Sequence, residues 1–100
     1  MSLLVFGIAL LQLIITTRIC QAPCTINYRI NIDDTVRGEL CLLLQSDDGI
    51  DIQSCFPAEF EGRVKQGQWK DLPAGEYRAQ VVTGSKLASN VVTMMITSSH

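Results

Sequence analysis

The sequence predicts an all-β chain, a small antiparallel β-sandwich preceded by a signal peptide. Three observations carry that prediction. Apolar residues recur at every second position in several stretches between Thr25 and Thr97. Turn residues divide those stretches, and no amphipathic helical pattern of useful length lies between them. An apolar run near the N-terminus is too short to cross a bilayer, which takes about 20 residues.

That run, Leu3 to Ile15, is broken only by Gln12 and ends in Thr16-Thr17-Arg18, the shape of a secretory leader. Residues 1–24 are read as the signal peptide, 25–97 as the domain and 98–100 as a frayed tail. Small residues are wanted one and three positions before the cut, so cleavage after Ala22 and cleavage after Cys24 both qualify. The first leaves Cys24, Cys41 and Cys55; the second leaves Cys41 and Cys55, and Cys20 is lost either way. An uncleaved leader acting as a membrane anchor is the rival reading; it would tend to leave the domain in the cytosol, where a disulfide is not expected.

Thr25 to Asp33 alternates Ile26, Tyr28, Ile30 and Ile32 with Asn27, Arg29 and Asn31, the pattern of a half-buried strand. Glu39 to Ser46 and Ile50 to Cys55 read as a hairpin across Asp47-Asp48-Gly49, with Gly49 in the left-handed position. If Ser46 faces Ile50, Gln45 faces Asp51, Leu43 faces Gln53 and Cys41 faces Cys55. Leu42, Leu44, Ile50 and Ile52 then share the core face. The cysteines lie opposite each other on the other face, so a Cys41–Cys55 bridge is expected, with Cys24–Cys41 as the rival. Closing a loop of about 15 residues is worth roughly 3 kcal/mol, a useful gain for a small core.

Phe56 to Glu61 reads as an edge or crossover, because Pro57 cannot donate to a ladder. Gly62 to Lys70 is a weaker strand with Gly67 as its expected bulge, ending in the turn Leu72-Pro73-Ala74-Gly75. Glu76 to Thr83 alternates around Tyr77, Ala79 and Val81; Gly84-Ser85 turns the chain; Asn90 to Thr97 is the last strand. Short strands with no helix to cover a sheet face call for two packed sheets.

The run Leu72-Pro73-Ala74-Gly75-Glu76-Tyr77-Arg78-Ala79-Gln80-Val81 resembles the end of a fibronectin type III domain, and Ser85 to Thr97 is similar to that family's final strand. The same turn is similar to those of other immunoglobulin-like and prealbumin-like sandwiches. The resemblance implies an immunoglobulin-like sandwich in which Tyr77 is a corner residue bonding its hydroxyl to backbone. The family's core tryptophan has no counterpart in Glu39 to Ser46; the one tryptophan here is Trp69.

No catalytic site is expected. The only histidine is His100, at the terminus, where a base cannot be held in place for Ser-His or Cys-His chemistry. The carboxylate groups Asp33/Asp34, Asp47/Asp48/Asp51 and Glu59/Glu61 sit on turns, too wet for a raised pKa. Ser46 to Asp51 has oxygen ligands but lacks the spacing and terminal Glu of a calcium loop, and reads as a hairpin turn. No cofactor or metal is expected, no Asn-x-Ser/Thr acceptor occurs, and no concentrated basic patch suggests nucleic acid.

Carboxylates dominate up to Glu61 and cations beyond it, which reads either as two solvated surfaces or as a polarity that steers a charged partner. The expected function is a secreted module binding an extracellular protein or glycan, with no membrane contact once the leader is gone; a small lipid carrier is the alternative. For each of Trp69, Phe56 and Phe60, core packing and partner contact are both open. If exposed, Trp69 with Arg63, Lys65 and Lys70 is the first choice for a contact patch.

Overall fold

The structure is a computed structural model that describes residues 10–84 and 87–98. Its strands are β1 (Leu11–Ile14), β2 (Ile19–Gln21), β3 (Cys24–Ile32), β4 (Glu39–Ser46), β5 (Asp51–Pro57), β6 (Val64–Leu72), β7 (Gly75–Thr83) and β8 (Val92–Thr97), with a 3-10 turn at Glu61–Arg63. They form two sheets, ordered β1-β3-β6 and β2-β8-β7-β4-β5. All pairings are antiparallel except β2 with β8, which run parallel.

Strict alternation decides what lies between the layers. Ile26, Ile30 and Ile32 point inward from β3, Leu40, Leu42 and Leu44 from β4, Tyr77, Ala79 and Val81 from β7, and Val92, Met94 and Ile96 from β8, all of them buried. The domain is therefore an all-β sandwich with one apolar core drawn from both sheets.

Part of the segment read as leader takes a place in both layers. Leu11, Leu13 and Ile15 are buried, with Leu11 opposite Ile32 and Leu13 opposite Ile30, while Gln12 faces outward. The chain then crosses to the other sheet, where Met95 N–H donates to the Arg18 carbonyl and Ala22 N–H to the Thr97 carbonyl. The Asn90 amide bonds both the N–H and the C=O of Leu13, capping the outer edge of β1. Residues 1–9, the tail residues Ser99 and His100, and Ser85 of the expected turn lie outside the described residues.

Two disulfides are present. Cys20 pairs with Cys24, so the Cys24–Cys41 alternative does not form. Cys41 and Cys55 face each other and are bridged, with their Cα atoms 4.0 Å apart. The hairpin register is the one counted from its loop: Gln45 faces Asp51 and Leu43 faces Gln53, Ser46 N–H bonds the Ile50 carbonyl, and Gly49 has φ of 98°.

Ile52 departs from expectation. Leu42 and Leu44 are buried, but Ile52 is 38% exposed and Ile50 is only partly buried. β5 is the outer strand of a five-stranded sheet facing a three-stranded one, so it overhangs, and only Phe56 of β5 is buried. That edge position is also where Pro57 is tolerated.

The bulge in β6 is not at Gly67. The register shifts where Thr25 of β3 meets Lys70 and Asp71, and Asp71 takes φ of 56°. Gly67 instead makes room for a ring: a Cβ there would lie 2.4 Å from the Tyr28 hydroxyl oxygen. Tyr28 is thereby free to stack on Trp69, with ring centroids 4.8 Å apart.

Candidate functional site

The side chains expected to form a contact patch are mostly occupied in the fold. Trp69 is only 8% exposed and belongs to the core against Tyr28 and Ile26. Arg63 bonds the carbonyls of Asp33 and Val36, holding the β3–β4 loop, with the Asp34 carboxylate 4.0 Å away. Lys65 places its ammonium over the rings of Phe56 and Phe60, at 5.3 and 4.8 Å from their centroids. Of these four, only Lys70 is exposed, on the bulge. Alternation explains the outcome: Lys65 and Trp69 stand opposite Ile30 and Ile26, on the inward face.

A different surface collects unpartnered apolar side chains. On the outward face of the five-stranded sheet, Ile19 of β2 lies opposite Met95 of β8, and they are 76% and 42% exposed. Val91, just before β8, is 53% exposed and shares a depression of about 170 Å³ with Leu43 and Gln80. Leu43 continues into a second depression of about 450 Å³ with Val82 and Cys41. Shallow hollows around Ile19 and Thr93, and around Thr93 and Arg78, link the two ends. Arg18, Glu39, Asp47, Glu76 and Arg78 supply charges along these hollows.

The sequence held the signal for these residues. Leu43, Val82, Val91 and Met95 are apolar at positions where the alternation calls for polar ones. Ile19 falls in the segment that the sequence reads as leader.

The outward face of the three-stranded sheet has the opposite character. Asn31 donates to Gln12, Arg29 Nε to Asn31, and Gln68 to Asn27, forming rows of side-chain amides across β1, β3 and β6. Ile14, Thr16, Arg29, Asn27, Gln66 and Gln68 line its depression, of about 630 Å³.

Among the described residues, three titratable groups are displaced from their usual range. Burial pushes the Tyr28 hydroxyl up; burial, then the carboxylates of Asp48 and Asp47, push up Tyr77. The Thr35 hydroxyl and N–H hold the Asp33 carboxyl down. In the acidic hairpin, Ser46 Oγ accepts the N–H groups of Asp48 and Ile50, and Asp47 accepts that of Glu76. These oxygens hold the turn. Among the described residues, the metal-ligating side chains that converge are Glu39, Cys41 and Cys55, with ligand atoms within 4.8 Å of one another.

No protein-family model, curated protein or solved structure matches this chain. Among the described residues no helix is long and apolar enough to cross a membrane. Two disulfides are the chemistry of an oxidising compartment.

Proposed function

We propose that this chain is a secreted, immunoglobulin-like module that binds an extracellular protein through the outward face of its five-stranded sheet. One observation carries the reading: Ile19, Val91 and Met95 are exposed there, and Leu43 and Val82, partly exposed, hold outward positions beside them. Isolated exposed apolar residues need no explanation, but a linked series with charges among it has the make-up of a protein interface. The sheet orders β1-β3-β6 and β2-β8-β7-β4-β5, with the bond from the Tyr77 hydroxyl to the Pro73 carbonyl at 2.7 Å, support the immunoglobulin-like or fibronectin type III-like part of the proposal. The disulfides support the extracellular part.

The test is capture from extracellular fluid with the folded domain as bait, repeated with Leu43→Asp and Met95→Asp. A partner held by the native domain and lost by both variants supports the proposal. Capture unchanged by both overturns the assignment of this face.

The amide rows favour a second reading, a glycan partner on the three-stranded sheet. Each of these amides, bonded once or, for Asn31, twice, keeps donors or acceptors for sugar hydroxyls, and Arg29 suits a carboxylate-bearing sugar. Binding to a glycan panel that falls with Asn27→Ala and Gln68→Ala, but not with Leu43→Asp, selects this reading over the first.

A further inference from the structure

We infer that Cys41, Cys55 and Glu39 form a reduction-gated site for a zinc-like divalent cation. The two cysteines are cross-strand partners on the outward face, and Glu39, two residues before Cys41 on β4, stands on the same face. Their ligand atoms already lie within 4.8 Å of one another. Glu39 and Cys55 are exposed and Cys41 is partly so, on the edge strand and its neighbour, where a small thiol can reach the bridge.

In the bridged form the sulfurs are not ligands. Reduction takes two electrons from a thiol reductant. One reductant thiolate attacks a bridge sulfur and breaks the S–S bond, releasing the other cysteine as a thiolate and forming a mixed disulfide. A second reductant thiolate attacks the reductant's sulfur in that mixed disulfide, and the reductant leaves as its own disulfide. Cys41 and Cys55 are then both reduced, and whatever protons they carry depart when a cation binds.

The surroundings suit a cation. The adjoining depression is lined by Glu39, Cys41, Leu43, Gln53, Val82 and Thr83, with Gly84, and among the described residues it carries no Lys or Arg. Two thiolates and a carboxylate gathered there repel one another until a divalent ion joins them. Two sulfurs and one oxygen suit zinc, and three protein ligands leave a fourth position open toward the depression. Gln53 Nε2 already donates to Cys55 Sγ at 3.3 Å, and the same bond would orient and stabilise a ligating thiolate. The Glu39 carboxylate forms no hydrogen bond or ion pair among the described residues, so nothing there must be broken for it to bind.

The experiment titrates Co²⁺, a spectroscopic stand-in for zinc, into the full chain after anaerobic reduction and removal of the reductant. Expected are one equivalent bound, a thiolate-to-cobalt charge-transfer band and tetrahedral ligand-field bands, all reversed by Zn²⁺. The oxidised chain and a Cys41→Ser/Cys55→Ser variant are expected to show none of these. Cys20→Ser/Cys24→Ser is expected to bind like the native chain, and Glu39→Gln to bind roughly tenfold more weakly or worse.

The proposal is overturned by a reduced chain without the bands, by equal binding in the Cys41→Ser/Cys55→Ser variant, or by undiminished binding in Glu39→Gln. Circular dichroism of the reduced chain is read alongside. Loss of the sheet signal also overturns the proposal, because the site requires β4 and β5 to stay paired.

Discussion

At the scale of single residues, the tightest steric constraint sits at Gly67. Its missing Cβ leaves the space in which the Tyr28 hydroxyl lies, and that ring in turn packs on Trp69. Gly67→Ala is expected to destabilise the fold by about 1–3 kcal/mol, because the ring must leave its stacked position. In a Tyr28→Val background the same substitution is expected to cost much less, a coupling that a double-mutant cycle in denaturant measures.

Tyr77 is the second such residue, buried and bonded to the Pro73 carbonyl. Its folded form holds its proton to higher pH than the unfolded chain does, so stability is kept below about pH 10 and falls as pH rises beyond it. Tyr77→Phe is expected to lose about 1 kcal/mol at neutral pH and to flatten the alkaline fall, read from melting temperature against pH. The corner position of Tyr77 was what the resemblance of its Leu-Pro-x-Gly-x-Tyr turn implied. The stacking of Trp69 was not, because it depends on which residue of β3 faces Gly67, and no local pattern fixes that register.

At the scale of elements, the hairpin of β4 and β5 was readable to the residue, since its loop length and Gly49 set every later pair. The core role given to Ile52 failed because the count of strands in the opposing sheet is a property of the whole topology. β1 and β2 were missed for another reason. Leu11, Leu13 and Ile15 alternate correctly, but their neighbours Leu10 and Ile14 are also apolar, and an unbroken apolar run hides period two.

A chain beginning at Thr25 lacks both of those strands and the Cys20–Cys24 bridge. It loses the burial of three large side chains, each worth about 1.5–3 kcal/mol, and uncovers Ile30 and Ile32. The expected outcome is a lower melting temperature and binding of an apolar dye, compared with a chain beginning at Leu10. The mass of the mature protein shows which of these chains is made.

At the scale of the molecule, the two sheets present faces of unlike chemistry, one with linked apolar side chains and one with rows of amides. Substitutions that keep to an outward face leave the core intact, so Met95→Asp is expected to change stability by about 0.5 kcal/mol or less, and Leu43→Asp, partly buried within β4, by about 1 kcal/mol. Equilibrium unfolding checks this, and it makes any loss of capture a loss of contact. The sandwich itself followed from alternation and turns; the faces did not, because burial inside the fold claims residues such as Trp69 before a partner can.

The parallel pairing of β2 with β8 joins the segment near the start of the chain to the segment near its end. When the two ends are drawn apart, these neighbours are pulled in opposite directions along their common axis. The bonds from Met95 to Arg18 and from Ala22 to Thr97 are then loaded together in shear instead of opening one after another. A domain wired in this way is expected to resist a pull between β2 and β8 better than one whose outer strands peel apart bond by bond, a difference that single-molecule stretching measures.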